Sequence, residues 1–189
     1  MVRKEIVPVE EVIATVVISM SKRELKKYVA SLKKKELELQ IIDLYDRFKE
    51  VKVFYDFAFN PQEDKLVDQA KAKIANEYFP VKRRKPRMRR SVAQKFIKHF
   101  MDIGVSPTKV ADVMWFNLEI AQTFNEHRQL KQPAFYKSMA NSFDEAVKYS
   151  ATNGLIEDFK HRLLEVYKRA QLQNWPELYT MERTLDILD

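Results

Sequence analysis

Apolar residues recur at helical spacing along most of this 189-residue chain. Two stripes are the clearest: Leu37, Ile41, Leu44 and Phe48 form the first, and Leu155, Phe159, Leu163, Val166 and Ala170 form the second. Intervals of three and four residues place side chains on one face of an α-helix. Both stripes are therefore predicted to face a protein core.

Polar residues mark where the helices begin and end. Four segments have the form of a capping box: SKRE at Ser21, NPQE at Asn60, SVAQ at Ser91 and SFDE at Ser142. Ser106 and Pro107 form a further predicted start, an N-cap followed by proline at the first helical position. The chain has only two glycines, Gly104 and Gly154, and each follows an amphipathic run, where a helix end favours a residue that tolerates positive φ.

The pattern predicts an all-α protein, an irregular helical bundle or a short solenoid-like array of about eight helices. The predicted helices lie near residues 22–30, 33–48, 61–78, 91–103, 107–128, 134–151, 155–172 and 177–187. The segment 51–59, VKVFYDFAF, alternates like a strand, but a lone strand would leave its backbone groups unpaired. We therefore predict a helix or a tight aromatic connection there.

The segment 107–128 differs from the others because it is apolar on nearly all sides. Its wide apolar face holds Val110, Val113, Met114, Leu118, Ile120, Ala121 and Phe124. A helix of this kind packs against several neighbours, so it is predicted to be the most buried element. The residues expected at its centre are Val113, Met114, Leu118, Ala121 and Phe124.

Trp115 and Phe116 fall on or beside the opposite side of this helix. They form a candidate partner surface if they lie exposed, and they are core residues if other helices cover them. We expect Trp115 to be at least half buried. Asn117 points to the middle of the apolar face, where its amide needs either a structural hydrogen bond or, as the alternative, a ligand.

The length suits one helical domain over residues 20–189. Residues 1–19 are either an upstream extension or a loosely attached segment, so a start at Met1 or at Met20 stays open. The chain has no cysteine, which excludes disulfide scaffolds and cysteine-based zinc sites, and it has no apolar run of about 18 residues. We expect a cytoplasmic protein with no membrane partner.

Positive charge is concentrated in one segment. The nine positions from Lys82 to Arg90 hold seven cations and no acid, and the net charge of the whole chain is +7. The candidate polyanion-binding residues are Lys82, Arg83, Arg84, Lys85, Arg87, Arg89 and Arg90, followed by Lys95 and Lys98 on the next helix. Tyr78 and Phe79 precede the run and are candidates for stacking on bases. Nucleic-acid binding here would be independent of sequence, because loop cations contact phosphates rather than base edges.

A solvated connection between two helices explains the same run, because Pro80 and Pro86 oppose a helix. Ser91 also has two interpretations. It follows RMRR, as in a site for a basophilic kinase, but a helix N-cap with Gln94 at the third position is the preferred explanation.

No catalytic, cofactor or metal site is predicted. Two glycines do not build a glycine-rich phosphate loop, and no nucleophile elbow or zinc-protease motif occurs. Asp158 and His161 have the spacing of a carboxylate–His motif, yet a helical di-metal site needs a second such motif. His161 is expected on the polar face of its helix, between Glu157 and Glu165.

Several longer segments resemble, in the same order, an uncharacterised family of small bacterial all-helical proteins known only as a domain of unknown function. These segments are SKRELKKY, LYDRFKEVKVFYDFAFNPQEDKL, EYFP, RSVAQKFIKHFMDIGVSP and FYKSMANSFDEAV. The resemblance covers roughly residues 20–182 and begins at Met20, which favours the later start. It implies an all-helical fold. The family has no known activity, so no catalytic or binding residue is carried over.

The sequence thus predicts a non-enzymatic protein that binds a macromolecule through a helical surface, with a protein partner favoured. The first alternative is nucleic-acid binding through residues 82–90. The second is an enzyme without a recognisable motif.

Overall fold

The computed structural model describes residues 21–81 and 84–186. The two interpretations of residues 1–19 lie outside this range. Every regular element in the described residues is a helix, which confirms the all-α prediction.

Nine helices lie within the described ranges. They are α1 (Lys22–Ser31), α2 (Lys34–Arg47), α3 (Lys49–Phe59), α4 (Glu63–Tyr78), α5 (Arg90–Ile103), α6 (Pro107–Arg128), α7 (Pro133–Thr152), α8 (Ile156–Leu172) and α9 (Leu178–Leu185). The additional helix is α3, the segment whose alternation resembled a strand. Val53 and Phe57, one helical turn apart, pack against the core, so the helical interpretation of this segment is confirmed.

The chain divides into two compact units, one ending at Lys49 and the other beginning at Glu50. The described part of the first unit contains α1 and α2, and neither helix has a buried residue. The second unit contains the hydrophobic core, which draws its buried residues from Val67 to Met181. The expectation of a single helical domain over residues 20–189 stays a prediction.

Helix α6 lies at the centre of the second unit, where it contacts α4, α5, α7 and α8. It has eleven buried residues, more than any other described helix. The five residues expected at its centre are all buried. The prediction that α6 is the most buried element is therefore confirmed.

The two apolar stripes behave differently. In α8 the stripe is buried from Phe159 to Ala170, as predicted. In α2, Ile41 and Leu44 are exposed, and so is Phe48, which follows the helix. The prediction that the α2 stripe faces a core is wrong, because helical spacing reveals an apolar face but not whether the chain itself covers that face.

One of the four predicted capping boxes is present. Ser21 accepts a hydrogen bond from the backbone N–H of Glu24, whose carboxylate accepts one from the Ser21 N–H in return. Asn60 lies before Gln62, the actual N-cap of α4, while Ser91 is the second residue of α5 and Ser142 lies in the middle of α7. Those three predictions are wrong.

Ser106 and Pro107 start α6 as predicted, but the serine side chain acts between helices. Its hydroxyl donates to Glu63 Oε2 at 2.6 Å, and its backbone N–H donates to Glu63 Oε1 at 2.8 Å. The cap of α6 is thus joined to the first turn of α4. Gly104 and Gly154 have φ of +84° and +69° after α5 and α7, which confirms their predicted place at helix ends.

Candidate binding surfaces

Within the described residues, the basic run contains both unpaired and ion-paired cations. Arg84, Lys85 and Arg87 are exposed. Arg89 and Arg90 form ion pairs with carboxylates of α4 and α7. Lys82 and Arg83 lie outside the described residues. On α5, Lys95 and Lys98 are exposed, as expected for the solvent face of that helix.

Glu77, near the end of α4, holds the second half of the run in place. Glu77 is 9% exposed, and its carboxylate accepts two hydrogen bonds from Arg89, 2.8 Å from Nε and 2.7 Å from Nη2. Its backbone carbonyl accepts the N–H groups of Arg87 at 2.9 Å and Met88 at 3.1 Å. The hydrogen bonds from Arg89 lower the pKa of Glu77 despite its burial. We call residues 84–89 the basic ledge, because the end of α4 supports it.

Met88 and Arg90 complete this attachment. Met88 has a φ of +51°, and its partly buried side chain packs against the core. Arg90 places Nη2 2.6 Å from a carboxylate oxygen of Glu145 and donates from Nε to Ser142 Oγ at 2.7 Å. Arg89 and Arg90 therefore attach the run to α4 and α7. The contact of the nine candidate cations with a polyanion stays a prediction.

An aromatic groove lies beside the ledge, where α4 and α6 end. Its volume is about 470 Å³. It is lined by Tyr78, Phe79, Pro80, Val81, Arg84, Pro86, Phe124, His127 and Arg128. The ring of Phe79 meets Phe124 edge to face at 5.5 Å between centroids, and meets His127 in the same way at 6.4 Å. The groove thus combines apolar walls with cationic side chains.

The two aromatic residues before the run differ in accessibility. Tyr78 is 1% exposed and packs on Phe124, so the prediction that it stacks on bases is wrong. Burial, together with the neighbouring Glu77 carboxylate, raises the pKa of Tyr78. Its hydroxyl has no hydrogen-bond partner among the described residues. Phe79 is 40% exposed and keeps the candidate role.

A second surface is formed by apolar side chains in the first unit. We call it the α1–α2 surface. It consists of the exposed residues Leu25, Tyr28, Val29, Leu39, Ile41, Ile42 and Leu44. The Nε2 group of Gln40 donates to the Tyr28 hydroxyl and so links the two helices. Leu39 lies about 160° around the α2 axis from Leu37, so the helix is apolar on more than one side.

A network of charges joins three helices of the second unit. Asp112 of α6 lies 2.7 Å from Lys71 Nζ of α4 and 2.7 Å from Arg162 Nη1 of α8. Arg162 also donates to both carboxylate oxygens of Glu119, at 2.6 and 2.8 Å. Burial opposes the ionisation of Asp112, but hydrogen bonds from Lys71 and Arg162 outweigh it and lower the pKa of Asp112. Each charge is paired, so the network is structural.

Polar side chains line another concavity, of about 490 Å³, at the ends of α6 and α8. Asn125 donates to Gln173 Oε1 at 2.7 Å and accepts from the Leu130 N–H at 2.9 Å. Gln173 also accepts from the Trp175 indole and donates to the Gln122 carbonyl. These amide groups hold the connection after α6 against α8, which accounts for them without a ligand.

Trp115 is a core residue. It is 0% exposed, meets Phe143 edge to face and donates from Nε1 to Ser150 Oγ at 3.4 Å. The expectation of at least half burial is confirmed, and the use of Trp115 as a partner surface is corrected, because α7 covers it. Phe116 is half-buried, with Lys71 Nζ 5.4 Å from its ring centroid. Asn117 is buried as expected. Both interpretations of its amide, a structural hydrogen bond and, as the alternative, a ligand contact, stay predictions.

His161 is exposed on α8, as predicted. The described residues contain no group of three or more His, Asp or Glu side chains that could hold a metal ion. In the same part of the chain, none of the helices has the length and apolar character needed to cross a bilayer.

Sequence reasoning missed Glu77, although a signal was present. Val67, Ala70, Ile74 and Glu77 follow one another at helical spacing on the buried face of α4. A carboxylate in such a stripe needs a cation, and the adjacent basic run supplies it. The spacing in α4 therefore indicates that at least one of the seven cations is paired.

Comparison with known proteins identifies a family but no characterised relative. A comparison with curated proteins found no match, and a comparison with solved structures found none. A scan of protein families matched residues 20–189 to one described as "Family of unknown function (DUF6155)". The match agrees with the resemblance that the sequence segments carry. The chain belongs to this family of unknown function.

Proposed function

We propose that this protein is a non-enzymatic binding protein that recognises a different protein through the α1–α2 surface. One observation carries the proposal: neither α1 nor α2 has a buried residue, although together they display seven large hydrophobic side chains. Exposed apolar clusters of this kind are typical of interaction sites, because covering them releases unfavourable hydration.

The charges of α1 indicate the chemistry of the partner. Lys22, Arg23, Lys26 and Lys27 accompany its apolar residues, with Glu24 as the only acid of the helix. An apolar partner surface with an acidic rim would complement this helix, since opposite charges steer association and select the partner. Pairing of α1 with α1 of a second copy would bring like charges together, which disfavours that form of self-association.

The experiment compares two matched pairs of substitutions on exposed leucine and isoleucine residues. The test variant carries Leu39→Ser and Ile42→Ser, which are 60% and 57% exposed in the native protein. The control carries Leu164→Ser and Leu172→Ser on α8, at 52% and 72% exposure. Tagged protein is isolated from its native cell, and the bound protein is then purified and titrated against each variant by calorimetry.

The expected result is one partner that binds the wild type and the control alike. It should bind the test variant at least about tenfold more weakly. Each of the two apolar side chains, once buried in the complex, contributes more than about 1 kcal/mol to the free energy of binding. Equal binding by both variants would contradict the proposal. So would a homodimer, seen by sedimentation of the wild type and lost in the test variant.

A further inference from the structure

The aromatic groove and the basic ledge are continuous. Pro80 and Arg84 line the groove, and both also line two smaller concavities next to it, of about 230 and 120 Å³. The smallest concavity is lined by Lys85 and Arg87 as well. A path therefore leads from an aromatic wall to a row of cations.

The groove offers a planar ring a place to pack. Phe124 is buried at its base, and Phe79 stands at its side with 40% of its surface exposed. The edge-to-face contacts with Phe124 and His127 fix the orientation of the Phe79 ring. Aromatic side chains held in this way are the usual platform for an unstacked base.

The ledge offers phosphate groups a fixed set of cations. Arg84, Lys85 and Arg87 are exposed, and within the described residues none of them has an ion-pair partner. The hydrogen bonds from Arg87 and Met88 to the Glu77 carbonyl hold this backbone in one conformation. A supported row of cations loses less conformational entropy on binding than a free loop would lose.

We propose that this site binds single-stranded nucleic acid, with one unpaired base in the groove against Phe79 and the adjoining phosphates on Arg84, Lys85 and Arg87. A duplex is disfavoured because its bases are paired and stacked and do not reach an aromatic wall. A nucleoside monophosphate leaves most of the ledge empty, because it carries only one phosphate group. An acidic peptide uses the cations without needing the aromatic groove.

This inference is independent of the protein partner proposed above and uses a different surface. It also differs from the expectation for the whole run of seven cations. Three exposed cations predict a log–log salt slope of about −2 on a single strand, at roughly 0.7 per phosphate contacted. Seven cations on a duplex would give a slope of about −6, because each phosphate contact on a duplex contributes roughly 0.9.

The test measures fluorescence anisotropy of a labelled 12-nucleotide uridine strand at a series of salt concentrations that begins at low salt, with the full chain and four variants. Phe79→Leu keeps an apolar side chain on Phe124 but removes the stacking ring, and Tyr179→Leu is its control on the exposed surface of α9. Arg84→Ser removes a ledge cation. Lys65→Ser removes an exposed cation near the start of α4, about 20 Å along the helix from its end at Tyr78. Thermal unfolding of each variant confirms that it is folded.

We expect Phe79→Leu to weaken binding about tenfold, as loss of one base–aromatic contact does. Arg84→Ser should weaken binding and reduce the magnitude of the salt slope by about 0.7, the value for one phosphate contact on a single strand, while both controls bind like the wild type. A duplex of the same length should bind more weakly than the strand.

Four results would overturn the inference. They are the absence of any binding at low salt, equal affinity for strand and duplex, an unchanged affinity in Phe79→Leu, and full competition by polyglutamate. A fifth result would reassign the ligand: if uridine monophosphate binds as tightly as the strand, the site holds a free nucleotide and the strand proposal is wrong.

Discussion

At the scale of single residues, the role of a charged or aromatic side chain depends on whether the fold pairs or buries it. The sequence places seven cations together but does not indicate which of them have partners, because Glu145 is more than fifty positions from Arg90. The pairing of Glu77 with a cation of the run is predictable from the sequence, since Glu77 continues the spacing of the apolar stripe of α4. Burial of Trp115 was predicted from the all-round apolar character of α6, and the structure agrees.

Replacing the central tryptophan tests this view of the core. Trp115→Ala should lower the free energy of unfolding by about 3–5 kcal/mol, because it removes a fully buried ring and its contact with Phe143. Phe116→Ala should cost about 1–2 kcal/mol, since that ring is only half-buried. Urea unfolding followed by far-ultraviolet circular dichroism measures both. Similar costs for the two variants would contradict the assignment of Trp115 to the core and Phe116 to its margin.

At the scale of helices, hydrophobic spacing predicted the elements better than it predicted their surroundings. The predicted helices match eight of the observed ones within a few residues, and α3 adds a ninth. The α2 and α8 stripes have the same spacing, yet only the α8 stripe is buried. Capping sequences were less informative. Ser142, for example, does not start a helix, and its hydroxyl accepts a hydrogen bond from Arg90, which is distant in the sequence.

The two stripes give opposite predictions for one substitution. Leu163→Ala in α8 should cost about 2–5 kcal/mol, because Leu163 is buried. Leu44→Ala in α2 should cost less than about 1 kcal/mol, because that side chain is already exposed. Both tryptophans lie in the second unit, so their fluorescence follows its unfolding while circular dichroism follows all helices. If Leu44→Ala lowers the free energy of unfolding as much as Leu163→Ala does, the α2 stripe is buried and this account of it is wrong.

The charge network between α4, α6 and α8 makes stability depend on pH. The folded-state pKa of Asp112 is lowered, so its ionised form stabilises the fold above its ordinary pKa of about 4, and this stabilisation is lost as pH falls through the folded pKa. Asp112→Asn should therefore cost about 2 kcal/mol at pH 7 and less near pH 3, which lies below the ordinary pKa of an aspartate.

Unfolding in urea at the two pH values measures the difference between wild type and variant. Glu165→Gln, an exposed carboxylate on α8, is the control and should show little change at either pH. A cost for Asp112→Asn that stays constant between pH 7 and pH 3 would contradict the ionised network.

At the scale of the whole molecule, each of the two units carries one of the two proposed binding surfaces. The second unit holds the core and the aromatic groove, and the first presents apolar helices that it does not bury. The sequence predicted the fold class and the central helix, because these depend on local spacing. It did not predict the groove, which depends on how the end of α4 meets the end of α6.

The central claim is that the α1–α2 surface contacts another protein, and site-specific photo-crosslinking in the native cell tests it most directly. A photoreactive residue in place of Leu39 should give a light-dependent adduct with one other protein, while the same residue in place of Leu172 should not give that adduct. Both positions are exposed, at 60% and 72%, so neither substitution should disturb folding. No adduct at Leu39, or an adduct with a second copy of this chain, would contradict the account.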